Sequence, residues 1–236
     1  MSWRACLAAV ALVAVLVPLQ PVQARDPLWE KLPWDERLGV RWFEIRAEAG
    51  DPAAAARLGR LYEEGVGTTA DTDKAIGWYR RAAAAGDAAS AFRLALLLQA
   101  RAGDGDLGEA ANWYGVAAAE EPAAAYNLAL MIENGDAGGP DSRQAADLYE
   151  QAYAGGIGKA ALNRALLALR DWPSPDRVTA ATWLMRAKAA GVPEADPLLR
   201  DLLAAMTEDE VASARSAAED PSAPPDVTST DRRPAR

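Results

Sequence analysis

The sequence predicts an all-α solenoid of stacked helix pairs, on three observations. First, five columns of residues recur every 35 positions. They are Asp71, Asp106, Asp141 and Asp176; Ala75, Ala110, Ala145 and Ala180; Trp78, Trp113, Leu148 and Trp183; Tyr79, Tyr114, Tyr149 and Leu184; and Ala82, Ala117, Ala152 and Ala187. A fixed period of this length marks supersecondary units that bury their apolar faces only by stacking. Second, each unit carries an i, i+3, i+4, i+7 apolar stripe, the signature of an amphipathic helix. Third, a loop bearing glycine or proline follows each stripe and stops the helix.

Residues 1–24 read as a secretory leader. Arg4 supplies a short positive region, and Ala5 to Val17 is an apolar run of 13 residues. That run is short for a bilayer span. Pro18 and Pro21 break it, and Val22-Gln23-Ala24 offers small residues for cleavage before Arg25. An uncleaved anchor is the alternative. Cys6 stands at the very start of the apolar run instead of following it, so it does not fit a lipoprotein acceptor.

Residues 25–35 form a lead-in with two prolines, whose Trp29 and Trp34 are expected to cover the first helix. That helix runs from about Glu36 to Ala49. Its Trp42, Phe43 and Gly50 stand 36 residues before Trp78, Tyr79 and Gly86.

Each following unit has two helices. The first helices carry the stripes Ala55, Leu58, Gly59, Tyr62; Ala91, Leu94, Ala95, Leu98; Ala125, Leu128, Ala129, Ile132; and Ala161, Arg164, Ala165, Ala168. Arg164 breaks the last stripe. Gly59 and its alanine equivalents suggest two backbones in close approach. The loops are Gly65-Val66-Gly67, Gly103-Asp104-Gly105, Gly135 to Pro140, and Trp172-Pro173-Ser174-Pro175. The recurrent Asp is then expected to cap each second helix, by accepting from free backbone N–H groups at the positive end of its dipole. Gly50, Gly86, Gly156 and Gly191 end the second helices. Glu121 takes that place in the third copy, where a less regular turn is expected.

After Gly191, Pro197 to Met206 reads as one more helix. Thr207 and Glu210 form a capping box that opens a helix to about Ala218. Its outward Glu208, Asp209, Ser213 and Ser216 are polar, as the terminal cap of a repeat array should be. Residues 219–236, rich in Pro, Ser, Thr and charge, read as a disordered tail. The solenoid thus spans 36–218.

Composition excludes several chemistries. The net charge is −9, and the leader holds only Arg4, so the mature chain is one unit more negative. That argues against nucleic acid and against electrostatic attraction to an anionic membrane. The chain has no histidine, and Cys6 is its one cysteine. The mature part therefore lacks the usual general base, a thiol nucleophile, a disulfide and a thiolate metal site. No cofactor or metal is expected. The pairs Glu63-Glu64 and Glu120-Glu121 are adjacent on their helices and diverge, so neither converges on one substrate bond. The glycines at 65–67 and 103–105 lack the Lys-Ser/Thr ending of a phosphate loop.

Two sets of residues are candidates for binding a partner. One residue after each stripe-opening alanine stand Ala56, Phe92, Tyr126 and Leu162; four further on stand Arg60, Leu96, Leu130 and Leu166. Placed along a groove, Phe92, Leu96, Tyr126 and Leu130 would hold an extended peptide or an amphipathic helix. The other reading is a helix buried nearly all round, since Leu61, Leu97, Met131 and Leu167 are apolar too. The second set is a polar column of Arg57, Arg93, Asn127 and Asn163, either a ladder for an acidic partner or a solvated face. The Trp-Tyr pairs, beside alanines at helical spacing, read as packing residues.

The unit resembles the Sel-1-like repeat, a relative of the tetratricopeptide repeat. Unit one carries the pattern nearly complete: Ala54, Leu58-Gly59, Tyr62, Gly65, Gly67, then Asp71, Lys74-Ala75, Trp78-Tyr79, Ala82-Ala83 and Gly86. Units two to four keep the second half and drift in the first. The resemblance covers about residues 36–195. It implies a right-handed superhelix of about four to five α-hairpins, here closed by the C-terminal capping helix. It also implies a non-enzymatic adaptor or scaffold, with an envelope protein or peptide as partner. For a secreted bacterial member it implies a periplasmic regulator of a membrane sensor or an assembly factor, including for exopolysaccharide. A monomer is expected, because the polar terminal helix opposes open-ended stacking. The competing class is a binding protein or enzyme directed at peptidoglycan or a β-lactam. Some secreted relatives of that class have paired cysteines, which this chain lacks, and it has no Ser-x-x-Lys run.

Overall fold

The computed structural model describes residues 36–170 and 176–220. The leader 1–24, the lead-in to Asp35 with Trp29 and Trp34, the loop at 172–175 and the tail beyond 220 lie outside the described residues. Among the described residues there are eleven helices and no strand. They are α1 (Glu36–Glu48), α2 (Pro52–Glu64), α3 (Thr72–Ala84), α4 (Ala88–Arg101), α5 (Asp106–Ala117) and α6 (Pro122–Asn134). Then follow α7 (Ser142–Ala154), α8 (Gly158–Arg170), α9 (Arg177–Ala189), α10 (Ala195–Leu203) and α11 (Glu208–Glu219).

Helices pack in consecutive pairs, the solenoid arrangement. The hairpins α2/α3, α4/α5, α6/α7 and α8/α9 are the closest pairs, and each hairpin also meets the next. The two alanine columns make this possible. Ala75, Ala110, Ala145, Ala180, Ala82, Ala117, Ala152 and Ala187 are all fully buried. A methyl at those places lets neighbouring helices approach closely without losing helix propensity. Leu58, Leu94 and Leu98 fill the interior, each contributing roughly 1.5–3 kcal/mol by its burial. One apolar cluster runs from Val40 to Leu167, and a second from Ala161 to Ala214. Half-buried Tyr153 packs against both.

Asp71, Asp141 and Asp176 cap their second helices, accepting from the backbone N–H of Lys74, of Arg143 and Gln144, and of Thr179. Asp106 does not. It is the first residue of α5, and Gly105, at φ 82°, takes the cap position with no side-chain bond. The same chemistry caps two first helices that the 35-residue Asp column does not mark: Asp51 caps α2 and Asp87 caps α4. Glu121 stands at that same place before α6 and forms no cap bond. The turn before it is longer, because α5 ends at Ala117.

Gly59 is small for a different reason than two backbones meeting. A Cβ there would lie 2.6 Å from Cδ1 of Tyr79, so the space belongs to a ring. α10 begins two residues before Pro197 and ends at Leu203, shorter than the expected 197–206.

The capping box of α11 forms: the Glu210 N–H donates to Thr207 Oγ1, and the Thr207 N–H to Glu210 Oε2. The helix reaches Glu219, so it extends into the segment assigned to the tail. α11 folds back on α9. Buried Arg186 donates through Nη2 to the carbonyls of Ala217 and Asp220, both at 2.8 Å. A cation on the last carbonyls of a helix faces the negative end of its dipole.

Candidate partner-binding surface

The Trp-Tyr column is structural, and its hydroxyls explain why. Tyr79 donates to Glu63 at 2.6 Å, Tyr114 to Gln99 at 2.7 Å and Tyr149 to Glu133 at 2.6 Å. Each acceptor lies on the last turn of the first helix of the same hairpin. A buried ring thus bridges the two helices, with its polar end satisfied. Burial, foremost, raises the pKa of all three phenols, and the carboxylates beside Tyr79 and Tyr149 raise theirs further. Glu63 is therefore a structural acceptor, half-buried and 3.6 Å from Arg93, rather than a solvated charge. The sequence held a signal for this set: Glu63, Gln99 and Glu133 recur at 15 or 16 residues before the tyrosines.

The polar column is not a solvated ladder. Asn127 is buried, at 7% exposure, and its Nδ2 donates to the Tyr114 hydroxyl. Asn163 donates to the Tyr126 hydroxyl at 3.1 Å, joining α8 to α6. Arg93 pairs with Glu63, and Arg57 is half-buried with a partner of its own. Arg93, Asn127 and Asn163 serve as glue between helices of successive hairpins. A buried amide held this way is costly to strip of its partner.

The apolar columns divide. Tyr126 is buried at 4% exposure and packs 5.9 Å from the Tyr149 ring. Phe92 lies 5.9 Å from the Tyr114 ring but keeps part of its surface in solvent. Leu96, Leu130, Leu162 and Leu166 are likewise half-buried. The first helices are thus neither buried all round nor open. They carry one row of half-exposed apolar side chains across α4, α6 and α8. The row's polar neighbours, Arg93, Asn127 and Asn163, are tied into the frame.

Arg164 breaks its stripe by pairing with Glu150 at 2.9 Å, its guanidinium 6.0 Å from the Trp183 ring. Among the described residues no cluster of acidic, histidine or cysteine side chains could hold a metal ion. Among them, too, no helix is long and apolar enough to cross a membrane.

The class these hairpins define is an α-solenoid of stacked helix pairs. The family model of the Sel1 repeat matches residues 30–51, 52–87 and 122–157. The last two segments take in α2/α3 and α6/α7, and the first ends just beyond α1. No curated protein matches the chain. Two crystal structures are similar. One is a protective antigen present in uropathogenic Escherichia coli strains, displaying an SLR fold: TM-score 0.62, 23% identity, over 83% of this chain and 41% of that one. The other is a Sel1 repeat protein from Oxalobacter formigenes: TM-score 0.56, 25% identity, over 66% of this chain and 65% of that one. The chain thus spans less than half the length of the first. Sel1-repeat proteins are in general protein-interaction scaffolds.

Proposed function

We propose that this protein is a non-enzymatic scaffold of the bacterial periplasm. It holds another envelope protein through the half-exposed apolar row of its first helices. Regulation of a membrane sensor and assistance to envelope or exopolysaccharide assembly are the roles this reading fits. One observation carries it. Phe92, Leu96, Leu130, Leu162 and Leu166 keep apolar surface in solvent on successive hairpins, while the polar groups beside them are consumed in holding the hairpins together. Such a row suits an extended peptide or the apolar face of a helix. The leader-like residues 1–24 support export.

The test is cross-linked capture from intact cells with the whole chain as bait, read by mass spectrometry. The wild type should enrich one envelope protein, and a Leu96→Asp, Leu130→Asp double variant of unchanged helicity should lose it. Equal enrichment by both baits would overturn the assignment of the row.

A further inference from the structure

The row of Leu96, Leu130 and Leu166 continues for a turn or two towards both ends of each first helix. The flanking residues on the same side are Ala89 and Ala100 on α4, Ala123 and Asn134 on α6, and Lys159 and Arg170 on α8. Steps of three and four residues keep them on one face. On α4 and α6 that face therefore carries no charge. On α8 it carries two cations, Lys159 and Arg170, both exposed. Eleven positions of helix separate them, about 16 Å along its axis. The three helices are neighbours. Asn163 and Arg170 of α8 donate to Tyr126 and Glu133 of α6. Glu121, just before α6, lies within electrostatic reach of Asp87 and Arg93 at α4.

An extended peptide laid across this face would bury backbone N–H and C=O groups against it. The side chains placed to meet them are already engaged. Asn127 donates to Tyr114, Asn163 donates to Tyr126, and Arg93 pairs with Glu63. Backbone groups left unmet count heavily against binding. A helix satisfies its backbone internally. A helix about 10–12 Å across also passes between Lys159 and Arg170 with room for an ion pair on either side. We propose that the row takes an amphipathic helix of the partner, laid across α4, α6 and α8. Its apolar stripe covers Leu96, Leu130 and Leu166, and carboxylates on its flanks meet the cations where it passes α8. Arg170 already donates to Glu133 at 2.6 Å, so Lys159 carries the sharper selection. This inference rests on the row being the interface. It adds the conformation and the charge of what binds there.

The experiment is photo-cross-linking in intact cells, with the whole chain carrying the probe at position 96 or at position 166. The partner residues joined to each probe are read by mass spectrometry. Packed neighbouring helices stand about 10 Å apart, so the two probes lie about 20 Å apart along the row. A bound helix rises about 1.5 Å per residue and should place the two joined partner sites about 13 residues apart. An extended segment would place them about 6 residues apart. That shorter spacing would overturn the helix while leaving the row as the interface. No adduct from either probe, in chains that melt as the wild type does, would overturn the row itself and this inference with it. With the probe at 96, Lys159→Glu should cut the adduct about tenfold, and Lys159→Arg should retain it. An undiminished adduct from the Lys159→Glu chain would overturn the acidic flank. An adduct with a second copy, or a link from 96 to residues 25–34 or 221–236 of the same chain, would overturn the assignment to a partner.

Discussion

Asp106 stands in the capping column yet caps nothing. α5 starts at Asp106 itself, so its carboxylate points back across the turn. There it accepts two bonds from Arg101, both at 2.7 Å, and one from the Gly103 N–H at 2.8 Å. Those bonds, the guanidinium foremost, draw its pKa down to about 2. Arg101 also reaches Asp73 of the preceding hairpin at 3.1 Å. Ala102 closes the turn at φ 48°, the one non-glycine residue in the left-handed region among those described. Gly155 makes a different residue-level point. Its φ is −79°, so glycine is not required there for backbone reasons. A Cβ would instead lie 2.2 Å from Cγ of Pro122, the rigid first residue of α6. Gly155→Ala should destabilise the fold by about 1–3 kcal/mol through overpacking. Adding Pro122→Ala should recover part of that loss in a double-mutant cycle of urea melts. A Gly155→Ala chain as stable as the wild type would show that the contact at Pro122 is slack.

At the scale of the element, the hairpins were legible because their reasons are periodic. Alanine columns, apolar stripes and stop signals repeat in register, and a 35-residue period survives the loss of any one residue. Helix ends were less legible, because they depend on single contacts. The sequence does not distinguish an Asp that caps, as Asp141 does, from one held by an arginine, as Asp106 is. Nor does it show that Glu121 trades its cap bond for a longer turn. The candidate surface was half legible. Leu96, Leu130 and Phe92 are half-buried, between the groove and the all-round burial that their column left open. Tyr126 and Asn127, one and two residues after Ala125, rotate into the space between hairpins, and Asn127 finds the Tyr114 hydroxyl there. That rotation follows from how neighbouring hairpins pack, a relation that no single helix encodes. α11 folds back on α9 rather than on α10 for a similar reason. Buried Arg186 grips its C-terminal carbonyls across more than thirty residues of chain.

Over the whole molecule, charge sets two limits of stability. The carboxyls of Asp51, Asp71, Asp106 and Asp196 lie below their ordinary value, each held there first by a hydrogen-bonding partner. A lowered acid contributes stability above its unfolded pKa and loses it as pH falls through the folded one. Their contribution is therefore complete at neutral pH and should fade from about pH 4 towards pH 2. Glu121 runs the other way. Burial foremost, then Glu120 and Asp87, raise its pKa, so its protonation relieves the fold on the way down. The tyrosines close the alkaline side. Tyr62, Tyr79, Tyr114, Tyr126 and Tyr149 all have raised pKa values, with burial the first cause. A raised phenol contributes stability below about pH 10 that is lost above it. Tyrosinate absorbance of these residues should therefore appear together with helix loss. Full ionisation near pH 10 with helicity intact would contradict the buried Tyr-to-Glu and Tyr-to-Gln bridges.

The scaffold reading rests on which face of the solenoid meets a partner. The most direct measurement is site-specific photo-cross-linking in intact cells. The probe is placed in turn at Leu96, at Leu130 and at Asn112, which is exposed on the second helix α5. The account predicts one protein adduct of the same mass from positions 96 and 130, and none from 112. An adduct from 112 with none from 96 or 130 would place the partner on the second helices and contradict it.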